Sequence, residues 1–324
     1  MRAKCFGLRK TMTLKPVNLH LSSVTITDIE THKNITTKEL RKDLDNLNKF
    51  DASTNANNFA GNPFLYHYQF KNLLKCRRKD GKTIHDIAQD PVEWDKLIEN
   101  TKKRNRGGRT AAGNVFECFR INLGSVVMFK STTAKYLYKK YNAKSVLDPT
   151  AGWGGRMLGA WSLGINYTGI DTNVEMTPAY NEMMDFLKAE TGFDNALFSV
   201  DNGSKLNMIW QSCLDVDFSK IDYDFVLTSP PYINLEIYEH MTEWESDKAF
   251  YELFFIPLWQ KCVDNIKKGG TVCFNISPKM YADAVKHGLT PCHDEEDLLQ
   301  QMGQKVDALS KGKKKQDKIY IWHC

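Results

Sequence analysis

From about residue 115 onward, short apolar runs alternate with stretches whose apolar residues recur at helical spacing. That alternation predicts strands followed by helices and hence a mostly parallel, doubly wound α/β sheet. Strands are predicted at KSVLDP (144–149), YTGID (167–171), Leu206 to Gln211, DFVLTS (224–229) and TVCFNIS (271–277). DKIYIWH (317–323) alternates in the manner of an outer strand. Helices are predicted for GRMLGAWSLG (155–164), TPAYNEMMDFLKAETG (177–192) and a long stretch, 249–270, that closes on a glycine pair. Ser131-Thr132-Thr133 reads as the cap of a helix carrying Ala134, Leu137, Tyr138 and Tyr141.

The N-terminal third is patterned differently. Residues 1 to about 60 are polar and weakly periodic, and 51–63 reads as a loop. Helical signals run from Pro63 to about Asn100, where Asp90-Pro91 has the form of an N-cap with proline at the first helical position. The glycine-containing basic stretch 102–114 is a candidate linker, so the expected division is an accessory region at 1–112 and a sheet-bearing domain at 113–324. There are no internal repeats.

With 324 residues and 42% hydrophobic content, the chain can bury a substantial core. No stretch approaches the roughly 20 apolar residues a membrane helix needs, and the N-terminus lacks the apolar run of a secretory signal. The eight cysteines are scattered without a C-x-x-C pair, which argues against a zinc site or disulfide framework. The expectation is therefore a reducing intracellular compartment, cytoplasm or nucleoid. A net charge of +5 permits a nucleic-acid partner without requiring one. Basic residues cluster at 71–82, at 102–109 with Arg104, Arg106 and Arg109, and at 311–315.

Chemistry first enters at SVLDPTAGWGGRMLGA, a strand, a glycine turn and a helix. Asp148 ends that strand, where a dinucleotide would place its pyrophosphate; a carboxylate there repels phosphate. It suits a cofactor that presents a cation, such as the ammonium and sulfonium of S-adenosylmethionine. Gly152 and Gly154 let the backbone approach closely. Asp171 follows 23 residues after Asp148 and can accept hydrogen bonds from ribose hydroxyls. The end of the third strand, Ser212-Cys213, should border the adenine.

Thr228-Ser229-Pro230-Pro231-Tyr232 ends the fourth strand. A nucleobase amine is a poor nucleophile because its lone pair is conjugated into the ring. Acceptors at the Ser229 hydroxyl and the Pro230 carbonyl can draw its N–H groups out of plane and free that pair. Pro230 and Pro231 fix the direction of the carbonyl with no competing N–H, and Tyr232 offers a face for stacking. Catalysis of this kind is positioning and electrostatics; it needs no metal.

Together these residues resemble the class I S-adenosylmethionine-dependent amino-methyltransferases of nucleic acids, which modify N4 of cytosine or N6 of adenine. The resemblance covers residues 115–324 and implies a Rossmann-like, seven-stranded, mostly parallel sheet. It assigns S-adenosyl-L-methionine to Asp148, Pro149, Ala151, Gly152, Gly154, Asp171 and Thr172. It gives the cofactor's methionine end to Phe129, Lys130, Ser131 and Thr132, and the target base to Ser229 through Tyr232. Serine at the head of the tetrapeptide points to cytosine N4 in DNA, with base flipping from a duplex. Adenine N6, an RNA base, and a non-catalytic nucleic-acid-binding protein are the alternatives.

In this chain the spare sequence lies at the N-terminus, where the basic clusters could grip nucleic acid or simply form a scaffold. The acids from Glu236 to Asp247 read as a solvated helix face or a lid, with Glu236 and Tyr238 near enough to the tetrapeptide to touch a substrate. His293 to Asp297 reads as an exposed helix start. Asn275 would either line the pocket or form a buried hydrogen bond.

Overall fold

The computed structural model describes residues 20–54, 58–77, 80–104, 109–121, 128–191, 205–233, 244–297 and 317–324. Before the first strand come α1 (Ile26–Thr31), α2 (Thr37–Lys49), α3 (Asn62–Leu74), α4 (Ile84–Gln89), α5 (Pro91–Arg104), α6 (Ala111–Arg120) and α7 (Ser131–Lys140). Then follow β1 (Ser145–Asp148), α8 (Gly155–Trp161), β2 (Asn166–Asp171), α9 (Thr177–Thr191), β3 (Leu206–Trp210) and β4 (Phe225–Thr228). The chain continues through α10 (Asp247–Phe250), α11 (Ile256–Asn265), β5 (Thr271–Ile276), α12 (Pro278–Lys286), β6 (Asp294–Asp297) and β7 (Lys318–His323).

Two compact units are distinguished: Met1–His32 with Arg77–Leu123, and Lys33–Cys76 with Gly124–Cys324. Residues 33–76, which the sequence groups with an accessory region, thus cluster with the sheet. In the first unit, α5 lies against α4 and α6, and α1 against α6. Reciprocal side-chain caps start α1 (Thr25 with Asp28) and α4 (Thr83 with Asp86). Asp90 Oδ1 accepts from the backbone N–H groups of Val92 and Glu93, as Asp90-Pro91 predicts.

The second unit is built on a seven-stranded sheet of order β3-β2-β1-β4-β5-β7-β6. β1 to β5 run parallel, and β7 is antiparallel to both of its neighbours. This is the seven-stranded, mostly parallel, Rossmann-like sheet expected from the sequence. β4 and β5 are buried along their whole length, as central parallel strands covered on both faces must be. Alternation sends Leu147, Ile170, Val226, Val272, Phe274 and Ile276 into one cluster with Phe250, Phe255, Leu258 and Met280. From the other face, Tyr138 of α7 sits edge-on to Phe225, with ring centroids 5.6 Å apart.

Several local expectations are corrected. Asp294–Asp297 is a strand, because β7 offers it a backbone ladder and Lys318 pairs with Glu295. β7 is not an outer strand: it lies between β5 and β6, with Ile319 to Trp322 buried. The long helix is broken by a π-helical turn at Tyr251–Phe255 and ends at Asn265, before the glycine pair. Ser131 to Thr133 lie inside the first turn of α7; the N-cap is Lys130, which makes no side-chain cap bond. The weakly patterned segment before residue 60 contains α1 and α2.

Among the described residues, no helix is long and apolar enough to cross a membrane, and the described cysteines are all free thiols.

Candidate active site

The turn after β1 brings the first two motifs into contact. Gly152 and Gly154 adopt left-handed backbone conformations, φ +57° and +87°, that other residues reach only with strain. Gly152 N–H donates to Asp171 Oδ2 (2.8 Å), and Asn173 N–H donates to Asp171 Oδ1 (2.9 Å). Burial pushes the Asp171 carboxyl up, and these two donors oppose it. Tyr180 closes the turn from α9 by donating its hydroxyl to the Gly152 carbonyl (2.8 Å). Pro149 and Ala151 are buried, Asp171 is half-buried and Thr172 is exposed.

Asp148 does not present an open charge. It is 0% exposed, and its Oδ2 accepts from Arg156 Nε (2.6 Å) and from the Tyr167 hydroxyl (2.7 Å). Burial works against the Arg156 charge, but Asp148 outweighs it and raises the guanidinium's pKa. Arg156 also donates to the Thr150 carbonyl and lies 5.2 Å from the Phe129 ring centroid. The Asp148 charge, expected from the sequence to repel phosphate, is balanced within the chain by Arg156. Asp148 Oδ1 remains buried with no hydrogen-bond partner.

The segment 129–132 packs against the same turn. A Cβ at Gly155 would lie 1.9 Å from the Phe129 carbonyl oxygen, so only glycine permits this contact. Lys130 is 2% exposed, its Nζ stands 4.2 Å above the Phe59 ring, and burial depresses its pKa to about 8. Ser131 Oγ is buried without a partner at the start of α7. Thr132 donates to the Asn58 carbonyl (3.0 Å), and Gly61 fits tightly against Ser131. Asn58, Phe59 and Gly61 were missed because they precede this segment by some 70 residues, and nothing local marks them as its neighbours.

At the end of β3, Ser212 is half-buried and Cys213 buried, with burial pushing the thiol up to about 12. Lys261 of α11 holds this loop: its Nζ donates to the carbonyls of Cys213 (3.3 Å), Val216 (2.8 Å) and Leu214. A lone lysine on a helix carries no signal of that role.

β4 delivers the tetrapeptide to the same edge. β1 and β4 are parallel neighbours, and the hydroxyls of Thr150 and Thr228 lie 2.7 Å apart. Ser229 Oγ accepts from Asn275 Nδ2 (3.0 Å) and donates to the Asn275 carbonyl (3.4 Å). Pro230 is buried, while Pro231 and Tyr232 are half-buried. The Asp317 carboxyl meets the Tyr232 hydroxyl; burial pushes Asp317 up and that contact pulls it down. Glu236, Tyr238, Arg106 and the 311–315 basic cluster lie outside the described residues. Arg104 and Arg109 belong to the first unit, Arg104 exposed at the end of α5 and Arg109 paired with Glu117 at 3.0 Å.

No protein-family model matches the chain, and no curated protein does. Among solved structures it is similar to TrmN from Thermus thermophilus, at 15% identity and TM-score 0.38 over 59% of this chain and 48% of that one. It is also similar to an RNA methyltransferase from Salinibacter ruber in complex with S-adenosyl-L-homocysteine, at 12% identity and TM-score 0.35 over 61% and 93% of the two chains. A third is the M. jannaschii tRNA m1G37 methyltransferase, at 13% identity and TM-score 0.34 over 62% and 51%. The chain spans about half the length of the Thermus protein. At these identities and scores the likeness carries no argument about this chain.

Proposed function

We propose that the protein is an S-adenosylmethionine-dependent methyltransferase acting on the exocyclic amine of a nucleic-acid base, with N4 of cytosine in DNA as the first target. The observation that carries this reading is the Thr150–Thr228 contact, which joins the glycine turn to the strand that ends in Ser229-Pro230-Pro231-Tyr232.

The residues at the turn suit the cofactor. A Cβ at Gly152 would meet only the Thr150 carbonyl, at 4.0 Å, so the turn leaves room for a ligand. Asp171 is poised to accept from ribose hydroxyls. Lys130 and the buried Ser131 hydroxyl stand at an uncapped helix start, which suits a carboxylate. Asp148, its charge held by Arg156, supports the turn from within, and Pro149, Ala151, Gly154 and Thr172 complete it. Phe129, Thr132, Ser212 and Cys213 would line the two ends. When bound, the cofactor supplies an electrophilic methyl group on sulfur.

The chain's own residues would then act on the base. Ser229 Oγ and the Pro230 carbonyl accept the two amine N–H bonds and turn the nitrogen lone pair toward the methyl group. Pro230 and Pro231 hold that carbonyl in direction, and Tyr232 stacks on the ring. Glu236, Tyr238 and the basic residues Arg104, Arg106 and Arg109 are proposed contacts to the nucleic acid.

The test is to incubate the protein with S-adenosylmethionine and separate DNA and RNA pools, digest to nucleosides and weigh the modified bases. N4-methylcytosine in DNA is expected. N6-methyladenine alone would overturn the base, and methylated RNA beside unmodified DNA would overturn the polymer. Ser229→Ala should slow transfer and leave cofactor affinity nearly intact by calorimetry. Absence of cofactor heat in the unaltered protein would indicate a binding protein that keeps the fold.

A further inference from the structure

We infer that Asn275 is a positioning residue that holds the Ser229 hydroxyl as a hydrogen-bond acceptor toward the substrate amine. The inference rests on the amine-methylating reading and deepens it. A serine hydroxyl has one proton to give and two lone pairs to offer. Here the backbone carbonyl of residue 275 takes the proton, at 3.4 Å, and the Asn275 side-chain Nδ2 occupies one lone pair, at 3.0 Å. One lone pair is left. The hydroxyl can therefore accept an N–H but has no proton with which to bond the amine's own lone pair, an alternative that would quench the nucleophile.

The placement of Asn275 is deliberate in physical terms. It lies on β5 at 6% exposure, one residue beyond Phe274, which pairs with Thr228, and its other neighbour, β7, pairs Ile319 with it. Both partners of the contact are thus held on or beside central strands. The rest of β5 is Thr-Val-Cys-Phe and Ile, and an apolar residue at 275 would fit that run. Burying an amide instead is costly unless both ends are bonded, yet Asn275 Oδ1 is buried with no partner. An amide kept there under that cost, with its Nδ2 bonded to the Ser229 hydroxyl, is explained by what it does to that hydroxyl.

The arrangement also bears on substrate choice. Two acceptors, Ser229 Oγ and the Pro230 carbonyl, welcome an exocyclic amine and repel a carbonyl at the same ring position. Cytosine and adenine are admitted; thymine and uracil are refused.

A double-mutant cycle tests this with Ser229→Ala, Asn275→Ala and the pair, and with Asn275→Leu as a near-isosteric second variant should the alanine fail to fold. Single-turnover methyl transfer, calorimetric cofactor affinity and thermal midpoint are measured for each. Asn275→Ala should lower the transfer rate about 10- to 100-fold with cofactor affinity unchanged. In the Ser229→Ala background the same change should cost less than about threefold, because the residue acts through Ser229. Independent, multiplying losses of rate would overturn the proposal. The melting data read the contact without any substrate: the double variant should lose less than the two single losses combined, and additive losses would overturn the coupling. If the unaltered protein methylates neither DNA nor RNA while the melting losses remain coupled, the amine-methylating reading fails and the Ser229–Asn275 contact stands as structural.

Discussion

Thr150 and Thr228, 78 residues apart in the chain, share a 2.7 Å hydrogen bond that ties the turn after β1 to the end of β4. Thr228 is fully buried and Thr150 half-buried, so this bond is partly shielded from competing water. It sets the spacing between the glycine turn and the Ser229–Tyr232 turn, which belong to different strands. Thr228→Val keeps the volume and removes the bond. The expected cost is about 1–2 kcal/mol of stability, read by denaturant unfolding. Methyl transfer should slow roughly tenfold with cofactor affinity preserved, as reacting groups are misplaced. An unchanged transfer rate would mean that the strands alone set the spacing.

The Asp148–Arg156 pair is buried on both sides, at 0% and 4% side-chain exposure. Removing either partner strands a charge in the interior. Asp148→Asn or Arg156→Met should therefore each cost about 3–5 kcal/mol, whereas Asp148→Leu combined with Arg156→Met should cost markedly less. Urea unfolding curves of the three variants check this. A single variant as stable as the parent would show that the pair is not structural.

Lys130 should make both stability and cofactor binding depend on pH near 8. Its pKa falls from 10.5 to about 8 on folding, through burial. Between those values the unfolded chain binds more protons than the folded one, so stability rises with pH across that window. Below about pH 8 the folded protein carries the cost of a buried ammonium. On the proposed reading a cofactor carboxylate pairs with that ammonium, so affinity should move the other way and weaken as pH rises past 8. Calorimetry with S-adenosylhomocysteine from pH 6.5 to 9.5 checks the sign. Lys130→Met should bind more weakly at low pH and show a flatter profile.

Two glycines of one turn should fail in different ways. Gly155→Ala places a methyl group 1.9 Å from the Phe129 carbonyl, which forces two backbones apart and should cost about 3 kcal/mol or more. Gly152→Ala meets open space but must hold φ +57°, a strain of about 1–2 kcal/mol. Its main effect should be weaker cofactor binding. Thermal midpoints and calorimetric affinities measured side by side would separate the two, and equal losses of affinity per degree of destabilisation would contradict it.

Much of this architecture was legible locally. The apolar runs at 145–148, 225–228 and 271–276 are strands because they are too short for buried helices and end at proline or glycine turns. Gly152 and Gly154 announced a tight turn, and Ser229-Pro230-Pro231-Tyr232 a rigid strand end. What local pattern missed was the antiparallel edge of the sheet and the partners of residues 33–76. Glu295 and Glu296 carry no strand signal of their own; they pair because β7 presents an open edge. Residues 33–76 look unremarkable in sequence, yet Lys135 of α7 caps the end of α2 through the Leu47 and Asn48 carbonyls, and Phe59 lies under Lys130.

The order of residues by itself determined which segments become strands, which become helices, and which turns carry reactive groups, because period and turn chemistry act within a few residues. Only the tertiary structure decided who neutralises Asp148, who bonds Ser229, and which N-terminal helices join the sheet. Those pairings bring together groups far apart in the chain, 88 residues for Lys135 and Leu47 and 149 for Arg41 and Glu190. They are chosen by how the whole sheet buries its faces, which no local pattern encodes.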